Sequence, residues 1–347
     1  MSFVKQLVSL VKSKKFKIIL MAILLASTIS PREPQWHPYN GKGVRYFGGN
    51  GITLLTGHWH LPPDKDSGIV IIMAHGMGLT QTFGLDPYIK AFTNAGLNVF
   101  TFDYATFGQS DGLPRHQIHP HRHVADLEAT INLIQTQNSS TITKIGLWGT
   151  SLGGGHVLEV AAKNRPNINA VISQVGHMAS GFEAVFFGGS LTAKTLQSLL
   201  LFLVGFSKWF VCLVLNKSCY YPIVGRPGSP AMLQNPGDDK GYLDLVPSDL
   251  KYGWENAATT GSALQVLTYR PLTVVSKIMT APVLLIGASR DTLCPLKYIR
   301  KAKEQIRNAE LLVMREAGHF DVYHNATILE ETIRAQVEFY QKHLMLP

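Results

Sequence analysis

Short, almost wholly apolar runs alternate with helical patterns along most of this chain, and no other feature constrains its fold as tightly. Ile69–Ala74 (IVIIMA), Val99–Phe102, Ile145–Trp148 and Ala170–Ser173 lack the polar alternation of a strand with one wet face. Runs of this kind suit strands covered on both sides. Between them lie the helical patterns Pro87–Ala95, stopped by Gly96, and Val124–Gln137, with apolar spacing at Val124, Leu127, Ile131 and Ile134. A third helical pattern, Leu152–Lys163, precedes Ala170. The order strand–helix–strand predicts an α/β fold with a doubly wound, mostly parallel sheet. Val44–Tyr46 and Ile52–Leu61 read as further strands around the turn Gly48–Gly51.

The rhythm stops after residue 175 and resumes with Val283–Ile286, Leu296–Ile306, Leu311–Met314 and Ile328–His343. This divides the chain into a core of residues 43–175 and 270–347 and an inserted cap, 176–269. The cap carries the apolar stretches Leu199–Phe206 and Trp209–Leu215, split by Ser207-Lys208. Such stretches suit packed lid helices, or a surface facing acyl chains or a membrane.

The net charge of +9 raises nucleic acid as a partner, but its distribution removes that reading. Lys5, Lys12, Lys14, Lys15 and Lys17 lie in residues 1–30, which hold no acidic residue, so nine minus five leaves +4 for the rest. No basic stripe with interleaved aromatics follows. The lysines instead precede the apolar run Ile18–Ala26, then Ser27, Thr28, Ser30 and Pro31. A basic region, a short apolar run and small residues predict a signal peptide or membrane-anchoring segment in 1–30. The expected location is therefore exported or membrane-associated, with cytoplasmic as the alternative. Of the three cysteines, Cys212 and Cys219 suit a disulfide in an exported chain, but buried free thiols are the favoured expectation.

The chemistry centres on Gly149-Thr150-Ser151-Leu152-Gly153, a G-x-S-x-G pattern. The apolar run before it and the helical pattern after it are the setting of a nucleophile elbow. Gly149 and Gly153 allow the backbone to close there, and Ser151 is lifted to a helix N-terminus. A serine needs a base, and His319 follows the last predicted strand, with His324 as a rival. An acid must orient that imidazole. Asp291 follows the strand before, and Asp321 is the weaker candidate. His75-Gly76-Met77-Gly78 follows Ile69–Ala74 and can aim a backbone N–H at a substrate oxygen. The backbone N–H groups of Met77 and Leu152 are the expected oxyanion hole, while His75 is expected to hold the turn.

The order Ser151, Asp291, His319 and these motifs resemble an α/β-hydrolase of the serine hydrolase group. The resemblance is to the serine aminopeptidase-like and dienelactone-hydrolase-like esterase branch. It rests on His75–Gly78, Asp103-Tyr104 with Phe107–Ser110, Gly149–Gly153, Asp291-Thr292 and Gly318–Asp321, and spans about 45–345. It implies a nucleophile at Ser151, an acid at Asp291 and a base at His319, with the Asp103 region shaping the site floor.

These readings lead to a carboxylic ester or other acyl small molecule as substrate, with no cofactor and no metal. The same triad would serve a serine aminopeptidase, a thioesterase or an acyltransferase. An idle hydrolase fold attached to a membrane as a binding module is the non-enzyme alternative. His116, His119, His121 and His123 cluster within eight residues where Pro114 and Pro120 mark an irregular loop, and are expected to form a solvated loop rather than a metal site.

Overall fold

A computed structural model describes residues 40–63, 67–137, 142–179, 212, 218–229, 231–248 and 254–345. The segment 1–30, the stretch Leu199–Phe206 and all of Trp209–Leu215 except Cys212 lie outside the described residues.

The elements, in chain order, are β1 (Val44–Phe47), β2 (Leu54–His60), β3 (Ile69–Ala74), α1 (Asp86–Asn94), β4 (Asn98–Asp103), α2 (Pro120–Gln137), β5 (Lys144–Thr150), α3 (Leu152–Ala161) and β6 (Ile168–Gln174). Then follow β7 (Tyr220–Tyr221), α4 (Asp238–Leu243), β8 (Ala258–Thr259), α5 (Ser262–Thr268), β9 (Val283–Ala288), α6 (Leu296–Gln305), β10 (Ala309–Met314), α7 (Asp321–His324) and α8 (Ala326–Tyr340). Eight strands form one sheet in the order β1-β2-β4-β3-β5-β6-β9-β10. β1 and β2 are antiparallel to their neighbours, and the rest run parallel. This is the doubly wound, mostly parallel sheet that the apolar runs imply.

The six side chains of β3 are all buried, as are those of β4 and β9. Each fully buried Val, Ile or Leu is worth roughly 1.5–3 kcal/mol, which is why wholly apolar runs take the central places. From β3 the chain first winds toward β4 and then reverses to β5 and β6. A crevice opens beyond the carboxyl ends of the strands where such an order reverses. Ala74, the last residue of β3, pairs with Gly149 of β5 at that reversal.

α2 begins at Pro120 and not at Val124, so the irregular loop the sequence suggests is present but ends at His119. Proline suits the first helical turn, where its missing N–H forfeits no bond. The nearby histidines are solvated only in part, His121 being exposed and His119 half-buried. His116 and His123 are 2% and 3% exposed. His123 stacks on Tyr104 at 4.2 Å, and Tyr104 also meets His75 and His156 edge-on. Four buried rings thus form one layer beneath the β3 and β5 ends, a placement that charge patterning conceals. Cys212 and Cys219 are disulfide-bonded with Cα atoms 6.0 Å apart, which corrects the expectation of free thiols. Cys294 is free and buried.

Two features of the core yield measurable consequences. Trp148 Nε1 donates to Gln336 Oε1 at 2.5 Å, and Gln336 Nε2 donates to Gln174 Oε1 at 2.6 Å, all three residues being buried. Gln336→Leu strands both partners, and urea unfolding is expected to show a loss of roughly 2–4 kcal/mol. The second concerns acid. Burial pushes His116 and His177 down to about 4, and lowers His75, His123 and His156. The unfolded chain binds these protons near pH 6.5 and the folded chain refuses them. Stability present above pH 6.5 is therefore lost as pH falls toward 4, by up to about 1.4 kcal/mol per pH unit for each histidine. His319, held above 6.5, offsets a single share. The urea midpoint is expected to drop between pH 7 and pH 5, and an unchanged midpoint would contradict the neutral layer.

Candidate active site

β5 leads directly into Ser151, whose φ of +54° and ψ of −121° are strained for a residue with a side chain. Two glycines permit the turn. A Cβ at Gly149 would stand 2.2 Å from the Gly153 carbonyl oxygen, and one at Gly153 would stand 2.2 Å from the Ala74 carbonyl oxygen. The backbone is locked by Ser151 N donating to Gln174 O at 2.9 Å and His177 N donating to Ser151 O at 2.8 Å. Ser151 is thereby held at the N-terminus of α3, where the helix dipole favours negative charge.

Asp291 and His319 reach the same point from the far half of the sheet. Asp291 lies past the end of β9, and its Oδ1 accepts from Leu293 N at 2.8 Å and Cys294 N at 2.7 Å. That leaves Oδ2 for His319 Nδ1, 2.7 Å away. His319 Nε2 is 3.0 Å from Ser151 Oγ. The three residues named from the sequence therefore form one continuous relay, with Asp291 and His319 both buried. Burial alone would push the imidazole down, but the adjacent Asp291 carboxylate outweighs it and holds His319 well above 6.5.

The rival residues are occupied elsewhere. Asp321 Oδ2 accepts from Gly318 N at 2.6 Å, capping its own loop. His324 Nε2 donates to Gly241 O at 2.9 Å. His75 is packed in the aromatic layer and faces the Gly76 carbonyl, 3.1 Å from its Nδ1.

The loop after β3 abuts the serine closely enough that a Cβ at Gly76 would lie 3.3 Å from Ser151 Cβ. Leu152 opens α3, where N–H groups have no carbonyl one turn below. Met77 is fixed from the other side, through its carbonyl. Tyr242 Oη of α4 donates to Met77 O at 2.8 Å, and Trp254 Nε1 donates to Gly78 O at 2.8 Å. Sequence reasoning misses both anchors, because an aromatic in the cap carries no sign of the loop it will reach.

Three further residues neighbour the relay, and sequence reasoning misses His177 and Cys294 among them. His177 lies against Tyr269, its Nε2 donating to Tyr269 O at 3.2 Å. Asp238 of α4 is 4% exposed, and burial raises its carboxyl against the opposing pull of Asn235 and His319. Cys294 is 6% exposed, and burial pushes its thiol up. Among the described residues, metal-ligating atoms converge in one place: Asp291, Cys294 and His319 offer donors within 4.8 Å of one another. The histidines of residues 116–123 do not converge in this way. Asp103 performs a supporting task, its carboxylate accepting from Gln81 N, Gln81 Nε2 and Gln109 N at 2.9–3.0 Å.

Known proteins place this arrangement in a family. The family described as "Serine aminopeptidase, S33" matches residues 65–204, and that described as "TAP-like protein" matches 252–335. The quorum-quenching protein AidA of Acinetobacter baumannii is 30% identical over 274 residues, covering 79% of this chain and 86% of that protein. The thiohydrolase aneE of Aspergillus aculeatus is 22% identical, covering 79% and 86% respectively. Among solved structures, the α/β hydrolase GrgF from Penicillium superposes with a TM-score of 0.70 at 21% identity, covering 87% of this chain and 98% of its own. DcsB, solved with a substrate analogue, gives 0.72 at 19% identity, covering 88% and 99%. With AidA alike over most of both chains and the fold shared throughout, this chain belongs to the α/β-hydrolase family.

Proposed function

We propose that this protein is a serine hydrolase that cleaves a carboxylic ester through an acyl-enzyme on Ser151. The unbroken relay from Asp291 through His319 to Ser151 carries the reading. His319 Nε2 takes the proton of Ser151 Oγ as the oxygen attacks the acyl carbon. Asp291 holds the Nδ1–H and stabilises the imidazolium that forms. The Met77 and Leu152 amides receive the oxyanion, each such donor being worth about 3–4 kcal/mol to the transition state. His319 then returns its proton to the leaving alcohol. Water, activated by the same imidazole, releases the acid and restores Ser151. No step calls on a cofactor.

The acyl-enzyme is equally the intermediate of thioester cleavage and of acyl transfer, in which another nucleophile replaces water. Relatives named for thiohydrolase and polyketide-transferase activities support that second reading. An aminopeptidase needs a negative group for the free amine of its substrate, and Asp238, buried beside His319, supports that variant. The basic and apolar segment of residues 1–30 supports export or membrane attachment, and mass spectrometry of the mature N-terminus tests it.

A fluorophosphonate probe is expected to label the wild-type chain at Ser151 and to leave Ser151→Ala unlabelled. Turnover of aryl esters is expected to fall roughly 10⁴-fold or more in Ser151→Ala and His319→Ala. Asp291→Asn is expected to lose about 10⁴-fold in kcat, because the imidazole is no longer held in the useful tautomer. Equal labelling of Ser151→Ala would overturn the mechanism. A wild-type chain that neither labels nor turns over any ester would leave the idle, membrane-attached binding module. Thioesters and aminoacyl anilides assayed beside the esters rank the substrate classes.

A further inference from the structure

Cys294 is a buried group beside the relay that the proposed hydrolysis does not use. It sits on the same turn as Asp291, and its N–H reaches the Asp291 carboxylate at 2.7 Å. Its sulfur, the Asp291 carboxylate and a His319 ring nitrogen lie within 4.8 Å of one another, and all three residues are buried. We infer that Asp291, Cys294 and His319 form a capture site for a divalent cation of the zinc class, and that capture arrests hydrolysis. The capture needs only these donors, while the arrest rests on the triad reading above.

The donor set selects the cation. One sulfur, one imidazole and one carboxylate suit zinc or cadmium, whereas magnesium and calcium need shells built mainly of oxygen. Zinc bonds of about 2.0–2.3 Å put neighbouring tetrahedral donors roughly 3.5 Å apart. The donors need draw in by little more than about 1 Å, within reach of a turn of the Cys294 side chain. The two backbone N–H groups on Asp291 Oδ1 already fix the carboxylate. On binding, the Cys294 S–H bond breaks as the metal–sulfur bond forms, and the proton leaves to water. No electrons are transferred. If the cation takes Nε2, the base loses the lone pair that accepts the Ser151 proton. If it takes Nδ1, the proton there shifts to Nε2, which then can no longer accept from Ser151, and the hydrogen bond to Asp291 is lost. Either way the relay is broken, and a chelator restores it.

The full chain, with Cys212 and Cys219 oxidised, has a single free thiol. Cadmium titration is therefore expected to raise a thiolate-to-metal absorption from Cys294 alone, and calorimetry to give one zinc per chain. Zinc, unlike magnesium, is expected to inhibit ester turnover, and EDTA to reverse it. Cys294→Ser and Cys294→Ala keep the backbone N–H to Asp291, and each is compared with its own metal-free rate. Both are expected to lose the absorption and to need at least about tenfold more zinc for the same inhibition. Absence of the absorption in the wild-type chain overturns the capture site, whether or not the variants fold. Unchanged zinc sensitivity in both variants overturns the assignment to Cys294. Absorption and calorimetry read the capture even in a chain that hydrolyses no ester, so the two readings fail separately.

Discussion

The close approach of α3 to the end of β3 governs the site. Gly153 lies so near the Ala74 and His75 carbonyls that no side chain fits between them. That approach makes the turn at Ser151 tight, gives the serine its strained backbone, and brings the loop holding Met77 against it. A looser junction would leave the serine at an ordinary helix start and the Met77 loop out of reach. The strain is offset by the surrounding sheet, where β3 and β5 are buried almost throughout.

What the sequence makes legible follows from this. Apolar runs report burial on both faces, so the parallel strands can be read almost to their ends. G-x-S-x-G reports a backbone approach that only glycines tolerate. Asp291 and His319 are legible because a parallel sheet gathers the loops after its strands at one edge, whatever their separation in sequence. The 28 positions that separate them vanish in a 2.7 Å contact.

Other residues are silent in one dimension. His123 looks polar and solvated, yet its ring stacks on Tyr104. Its position on α2 turns it inward, and a histidine held neutral behaves as a flat, partly apolar ring. Pro120 marks a helix start where it suggests a loop. The Cys212–Cys219 pair joins two residues that no periodicity brings together. Cys294 is a small buried residue after the Asp291 turn, and its nearness to His319 emerges only when β9 and β10 are laid side by side.

The hydrogen bonds from Tyr242 and Trp254 to the Met77 and Gly78 carbonyls bear on how such enzymes diversify. An insert that covers a binding crevice is commonly treated as a detachable module, exchanged to change what is admitted while the machinery below stays constant. Here Tyr242 and Trp254 also grip the loop that abuts Ser151. A replacement segment that lacks a phenol and an indole at these two places would release the Met77 and Gly78 carbonyls, and with them the loop beside Ser151. Segment and loop are therefore held as one mechanical unit, and neither can be exchanged without disturbing the other.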